Sequence, residues 1–171
     1  MSAVGERNDF GLTAWDRYRI LTTYRTIAMV GLSSNYYNAS SFAGVYLDAN
    51  GYDIVPVNPA QAGREILGRR VYPDLREAAK EHRIEIVDVF RPSRELPEIA
   101  EQAVEIGSRV LWMQLGVINH EAAARAREAG LEVVMDRCCK IEHARFFGGL
   151  RTIGLNTGVI TSRLAMRLPE T

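Results

Sequence analysis

Cysteine is scarce in this sequence, and the two present, Cys138 and Cys139, are adjacent. Neighbouring cysteines rarely reach disulfide geometry with each other, and no second pair exists for a disulfide scaffold or a four-thiolate zinc site. Long apolar runs are missing as well. No stretch approaches the ~20 apolar residues that span a bilayer, and Met1 to Phe10 lacks the apolar core of a signal peptide. Neither sign of charge dominates: Lys+Arg and Asp+Glu are both 21. That balance removes a global field for nucleic acid or an anionic membrane and leaves room only for a local basic pocket. The three histidines, His82, His120 and His143, have no metal-ligand spacing. These absences predict a reduced, metal-free, cytoplasmic domain without a nucleic-acid or membrane partner.

What is present is ordinary globular material: 171 residues, 47% hydrophobic, enough for one domain with a sizeable core. Residues 1–12 are polar and aperiodic, a loose arm. Trp15, Tyr18, Leu21 and Tyr24 recur every third residue and predict a short amphipathic helix with that stripe inward. Strand and helix signals then alternate. Strands are expected at 26–31, 53–59, 85–90, 110–115 and 131–135. Helices are expected at 40–50, 75–82 (capped by Asp74), after Ser93 as cap, and at 120–129 (capped by Asn119). Pro56 inside the second strand suggests irregular or unpaired backbone there.

Such alternation implies right-handed crossovers and a Rossmann-like, doubly wound parallel α/β sheet of about five strands with flanking helices, over residues 13–145. The ligand crevice of such a fold lies beyond the carboxyl ends of its strands. Residues 146–171 hold four glycines and no clear period. They read as a C-terminal extension that wraps the domain or pairs with a second subunit, which leaves a homo-oligomer open.

The first strand-to-helix turn, Gly31 to Ser40, opens onto a helix N-terminus. Free N–H groups and the positive end of the helix dipole there favour a phosphate. Gly31 permits the tight turn, and Ser33, Ser34 and Ser40 offer hydroxyls. The competing reading is a plain capped loop, since serine and asparagine favour turns with or without a ligand. The turn is not a dinucleotide fingerprint: Ser33 and Tyr36 stand where G-x-G-x-x-G needs glycine, and Asn58-Pro59 replaces the acidic ribose binder after the second strand.

Other strand ends contribute Val57, Asn58 and Pro59; Arg91, Pro92 and Ser93; and Gln114. Arg91 can hold phosphate bidentately or simply form a surface ion pair. Arg64, Arg69 and Arg70 form a basic loop that reads as solvated. Cys138 is either a buried inert thiol or, if Arg137 and Lys140 lower its pKa, a reactive one.

Five linked segments resemble a known family: Ile27-Ala-Met-Val-Gly-Leu-Ser33, Gly51-Tyr-Asp-Ile-Val-Pro-Val-Asn-Pro59, Val87-Asp-Val-Phe-Arg91, Leu111-Trp-Met-Gln-Leu-Gly-Val-Ile-Asn119 and Val134-Met-Asp-Arg-Cys138. They are similar to the stand-alone CoA-binding domain proteins, relatives of the CoA-binding domain of the succinyl-CoA synthetase α subunit.

The resemblance implies coenzyme A or an acyl-CoA across the strands' carboxyl ends, bound without autonomous catalysis. It places Gly31, Ser33, Ser34 and Ser40 near the pyrophosphate, and Val57, Asn58 and Pro59 beside the adenosine. Arg91, Pro92, Ser93 and Gln114 would line the path of the pantetheine or phosphates. One departure stands out: family loops often carry Lys or Arg after the first strand, where this chain has Ser34-Asn-Tyr-Tyr-Asn38. The alternatives are a nucleotide-sensing partner subunit or a small enzyme using Cys138.

Overall fold

The computed structural model describes residues 12–148. The N-terminal arm to residue 11 and most of the expected C-terminal extension, 149–171, lie outside the described residues.

Five parallel strands form the sheet: β1 (Thr26–Val30), β2 (Asp53–Val57), β5 (Ile86–Val89), β6 (Val110–Met113) and β7 (Glu132–Val134), in the spatial order β2-β1-β5-β6-β7. The chain reverses its direction of travel between β1 and β5, the topological switch point where α/β sheets open a crevice. Alternate residues supply two cores. Ala28, Val30, Val87, Val89, Leu111 and Met113 face helices α3 (Leu75–Ala79), α4 (Leu96–Glu105) and α5 (His120–Glu128). Ile27, Met29, Ile54, Ile86 and Trp112 face α1 (Ala14–Thr23), α2 (Ala39–Ala49) and α6 (Cys139–Phe147). A strand covered on both faces has no polar side, which is why these segments read as apolar runs.

Pro56 proves regular. It sits opposite Met29 in the β1–β2 register. The sheet edge is where a missing N–H does no harm, and the Pro56 carbonyl on that side accepts from Tyr72 N–H at 2.9 Å. Asp74 and Asn119 cap their helices as expected, through Glu77 N–H at 2.8 Å and Ala122 N–H at 3.0 Å. Ser93 does not cap: it begins a 3-10 turn, Ser93–Glu95, that precedes α4.

Three further expectations are corrected. The segment after β2 carries a two-stranded hairpin, β3 (Glu65–Ile66) with β4 (Arg69–Arg70). Its two-residue turn, Leu67-Gly68, has both φ values positive, at 54° and 70°. Leucine rarely adopts that conformation, so the usual Asn-Gly hairpin signal was missing. Of the stripe expected on α1, Leu21 is buried and Tyr18 and Tyr24 are half-buried, but Trp15 is 78% exposed and the rest of the buried face is Arg17 and Ile20. Phe146 and Phe147, expected in the extension, end the α6 helix.

Both helical misreadings have one cause. Arg17 Nε donates to Glu142 Oε2 at 2.9 Å, with both side chains nearly fully buried, so α1 and α6 present charges to each other. An inward ion pair breaks the apolar periodicity that marks a buried face.

Candidate functional site

The turn from β1 to α2 is anchored on three sides. Gly31, at φ 95°, donates its N–H to the Val57 carbonyl at 2.8 Å, tying the end of β1 to the end of β2. Asn58 Nδ2 donates to the Leu32 carbonyl at 3.0 Å, while Asn58 Oδ1 accepts from Ala60 N–H at 3.0 Å. Ser34 N–H donates to Gln61 Oε1 at 3.3 Å.

Within the turn the serines serve each other. Ser40 Oγ accepts from Ser33 N–H at 3.2 Å, Ser33 Oγ accepts from Asn35 N–H at 3.1 Å, and Ser41 Oγ donates to the Ser33 carbonyl. Ser33 and Ser40 thus act inside the loop as acceptors, and each hydroxyl keeps a proton of its own.

Asn38, at the N-cap of α2, makes no side-chain cap hydrogen bond. Ser41 N–H turns back onto the Asn38 carbonyl at 3.0 Å, and the first turn has no side-chain cap for its other N–H groups. Tyr36 and Tyr37 are 76% and 91% exposed, and Tyr36 stands on the wall of the hollow that contains Ser33 and Ser34.

Five of the expected residues line two separate hollows. Val57, Pro59 and Arg91 share the wall of a cavity of about 320 Å³ beyond the ends of β1 and β2. Ser33 and Ser34 line a separate hollow of about 100 Å³ with Ser41 and Ile66. Arg91 has its stem against Gly31 and its guanidinium held by Glu95 in a bidentate pair, Nε to Oε2 at 2.7 Å and a terminal nitrogen to Oε1 at 3.0 Å.

The others are placed differently. Ser93 Oγ accepts from Ile118 N–H at 3.0 Å, bracing the loop after β6. Pro92 is exposed. Gln114 turns inward, its Nε2 donating to Asp88 Oδ1 at 2.7 Å. In the basic loop, Arg69 pairs with Asp48 at 2.8 Å and Arg70 with Glu81 at 3.2 Å.

Sequence reasoning passed over Ser41, Gln61, Glu95 and Asp88. The first three are polar residues in polar segments and carry no distinguishing signal. Asp88 did carry one: a lone acid in the run Ile86-Val-Asp-Val89 of a doubly covered strand. It is fully buried, its Oδ2 has no hydrogen-bond partner, and burial raises its pKa to about 7 against the opposing bond from Gln114. The thiol of Cys138 is also pushed up, chiefly by burial, although backbone N–H groups of Ile141 and Lys140 work against that. Cys139 is buried and raised further. Among the described residues no cluster of His, Cys, Asp and Glu could hold a metal, and no helix is long and apolar enough to cross a membrane.

Residues 25–144 match the family model described as CoA binding domain. The chain belongs to the CoA-binding domain family. The match runs from the start of β1 into α6, so the anchored turn and every strand end lie inside it. This CoA-binding domain is 39% identical over 125 residues to YneT of Bacillus subtilis strain 168, covering 73% of this chain and 90% of that one.

Solved relatives share its Rossmann-like architecture. A protein from Pyrococcus horikoshii OT3 superposes with a TM-score of 0.79 at 39% identity, over 85% of this chain and all (100%) of the other. One from Thermus thermophilus gives 0.76 at 29% identity, over 80% and 100%. Membership supports a CoA-binding role for this domain.

Proposed function

We propose that the domain binds coenzyme A or an acyl-CoA at the carboxyl ends of its strands, as a binding protein without turnover of its own. The observation that carries this reading is the first turn of α2, which has no side-chain cap and belongs to the helix that follows β1, a strand at the switch point. A diphosphate there meets N–H donors and the helix dipole without displacing a side-chain cap. Gly31 and Ser33 would border the pyrophosphate, with the Ser34 and Ser40 hydroxyls beside it.

The cavity walled by Val57, Pro59 and Arg91 would take the adenosine end, with Asn58 bracing its rim. Pro92, Ser93 and Gln114 belong to the supporting loops in this arrangement. The loop has no Lys or Arg of its own, so Arg91 is the cation best placed to meet a phosphate, exchanging Glu95 for it. Turnover through Cys138 is disfavoured by a thiol shifted away from its reactive, ionised form.

Calorimetric titration with CoA, acetyl-CoA, ATP, NAD⁺ and NADH tests the proposal. Saturable heat for the CoA species, lost in Gly31→Trp, is the expected result. Silence at millimolar CoA, or equal response to NAD⁺, overturns it.

A further inference from the structure

An apolar feature starts at Tyr36 and Tyr37 of the phosphate turn and continues along the outer face of α2. Tyr36, Tyr37, Phe42 and Val45 are 76%, 91%, 55% and 46% exposed, unusually open for residues of their size. With Ala49 and Lys140 they wall a groove of about 640 Å³ along the helix. Contiguous exposed apolar surface of this kind marks a binding surface more often than chance.

Continuity identifies the occupant. Tyr36, Ser41 and Val45 line both this groove and the small hollow that contains Ser33 and Ser34. A ligand whose phosphates sit on the first turn of α2 therefore leads its pantetheine arm, and the acyl group at the end of that arm, into the groove. Among the described residues, the sole charged side chain on the groove wall is the cation Lys140, which suits a polyanionic carrier. The volume lies in the range that encloses small-molecule ligands.

We propose that the groove holds the acyl chain of an acyl-CoA, which makes the domain selective for medium-chain thioesters over free CoA. This deepens the CoA reading and rests on it. Helix α2 then serves successive parts of one ligand, its first turn the phosphates and its outer flank the pantetheine arm and the hydrocarbon beyond it. Phe42 and Val45 stand three residues apart, so they fall on one face of the helix.

Full desolvation of one methylene is worth about fourfold in affinity, and about twofold in a groove open on one side. Octanoyl-CoA, with six more methylenes than acetyl-CoA, is therefore expected to bind at least about tenfold more tightly.

Titration of the full chain with CoA, acetyl-CoA and octanoyl-CoA, below any micellar concentration, tests this. The expected result is rising affinity with chain length. Phe42→Asp and Ala49→Asp should each erase that gain and leave the CoA dissociation constant within about twofold. Both positions are exposed, and thermal melts confirm folding of each variant.

Equal affinity for all three ligands overturns the proposal while the CoA reading survives. So does a chain-length gain that persists in both variants. Self-association abolished by Phe42→Asp, without any chain-length effect, assigns the groove to a second copy instead. If no CoA species binds, the parent reading fails and this inference with it.

Discussion

The side chain of Arg91 lies against the α-carbon of Gly31: a Cβ built there would stand 2.9 Å from Arg91 Cδ and 3.2 Å from the Phe90 carbonyl oxygen. Glycine at this position does two things at once. It adopts φ 95°, which L side chains rarely reach, and it lets the β5 end close over the β1 end. Gly31→Ala is expected to lower stability by about 1–3 kcal/mol, combining backbone strain with a displaced Arg91. Urea unfolding measures the first effect and CoA titration the second. An alanine variant as stable as the parent contradicts the contact.

Asn58 spans two backbone groups from a buried position. Asn58→Ala strands the Leu32 carbonyl, and a buried acceptor without a partner costs about 1–3 kcal/mol. The phosphate turn loses its brace in the same step. The expected outcome is a lower urea midpoint together with faster amide exchange at Ser33 and Ser34. Unchanged exchange at those amides would mean the turn is held without Asn58.

Asp88 should make stability fall as pH rises. Its folded pKa of about 7 lies above its unfolded value of about 3.9, so the folded state keeps the proton where the unfolded state loses it. The contribution is complete below about pH 4 and is lost progressively up to about pH 7, a loss of order 4 kcal/mol. Asp88→Asn removes the ionisation and should flatten that slope. Unfolding curves at pH 5 and pH 8 decide the point. An equally steep decline in the variant would assign it to other groups.

The two thiols should be sluggish. Burial pushes both up, and Cys139 is completely enclosed. At neutral pH, Ellman's reagent is expected to modify Cys138 far more slowly than free cysteine, and Cys139 only upon unfolding. A Cys138 reaction as fast as that of free cysteine would revive the catalytic reading of that residue.

Most of the sheet was legible in the chain. Doubly covered strands are short apolar runs, and the caps Asp74 and Asn119 punctuate them by local chemistry alone. The candidate site was legible only in outline. Gly31, Asn58 and Arg91 lie at strand ends, where topology points any reader. Whether Ser93 caps its own helix or braces Ile118, and whether Gln114 faces a ligand or Asp88, depends on neighbours more than twenty residues away.

The amino-acid order by itself settled what depends on near neighbours: the strand–helix alternation, the helix caps and the glycine turns. Folding alone decided what depends on distant partners. Arg17 and Glu142 are 125 residues apart, and each reads as a surface charge until the other is beside it. A charge enters the interior only when its counter-charge arrives with it, because desolvation is costly for either alone. No local pattern records that meeting, and for that reason the inward faces of α1 and α6 had to come from the three-dimensional arrangement.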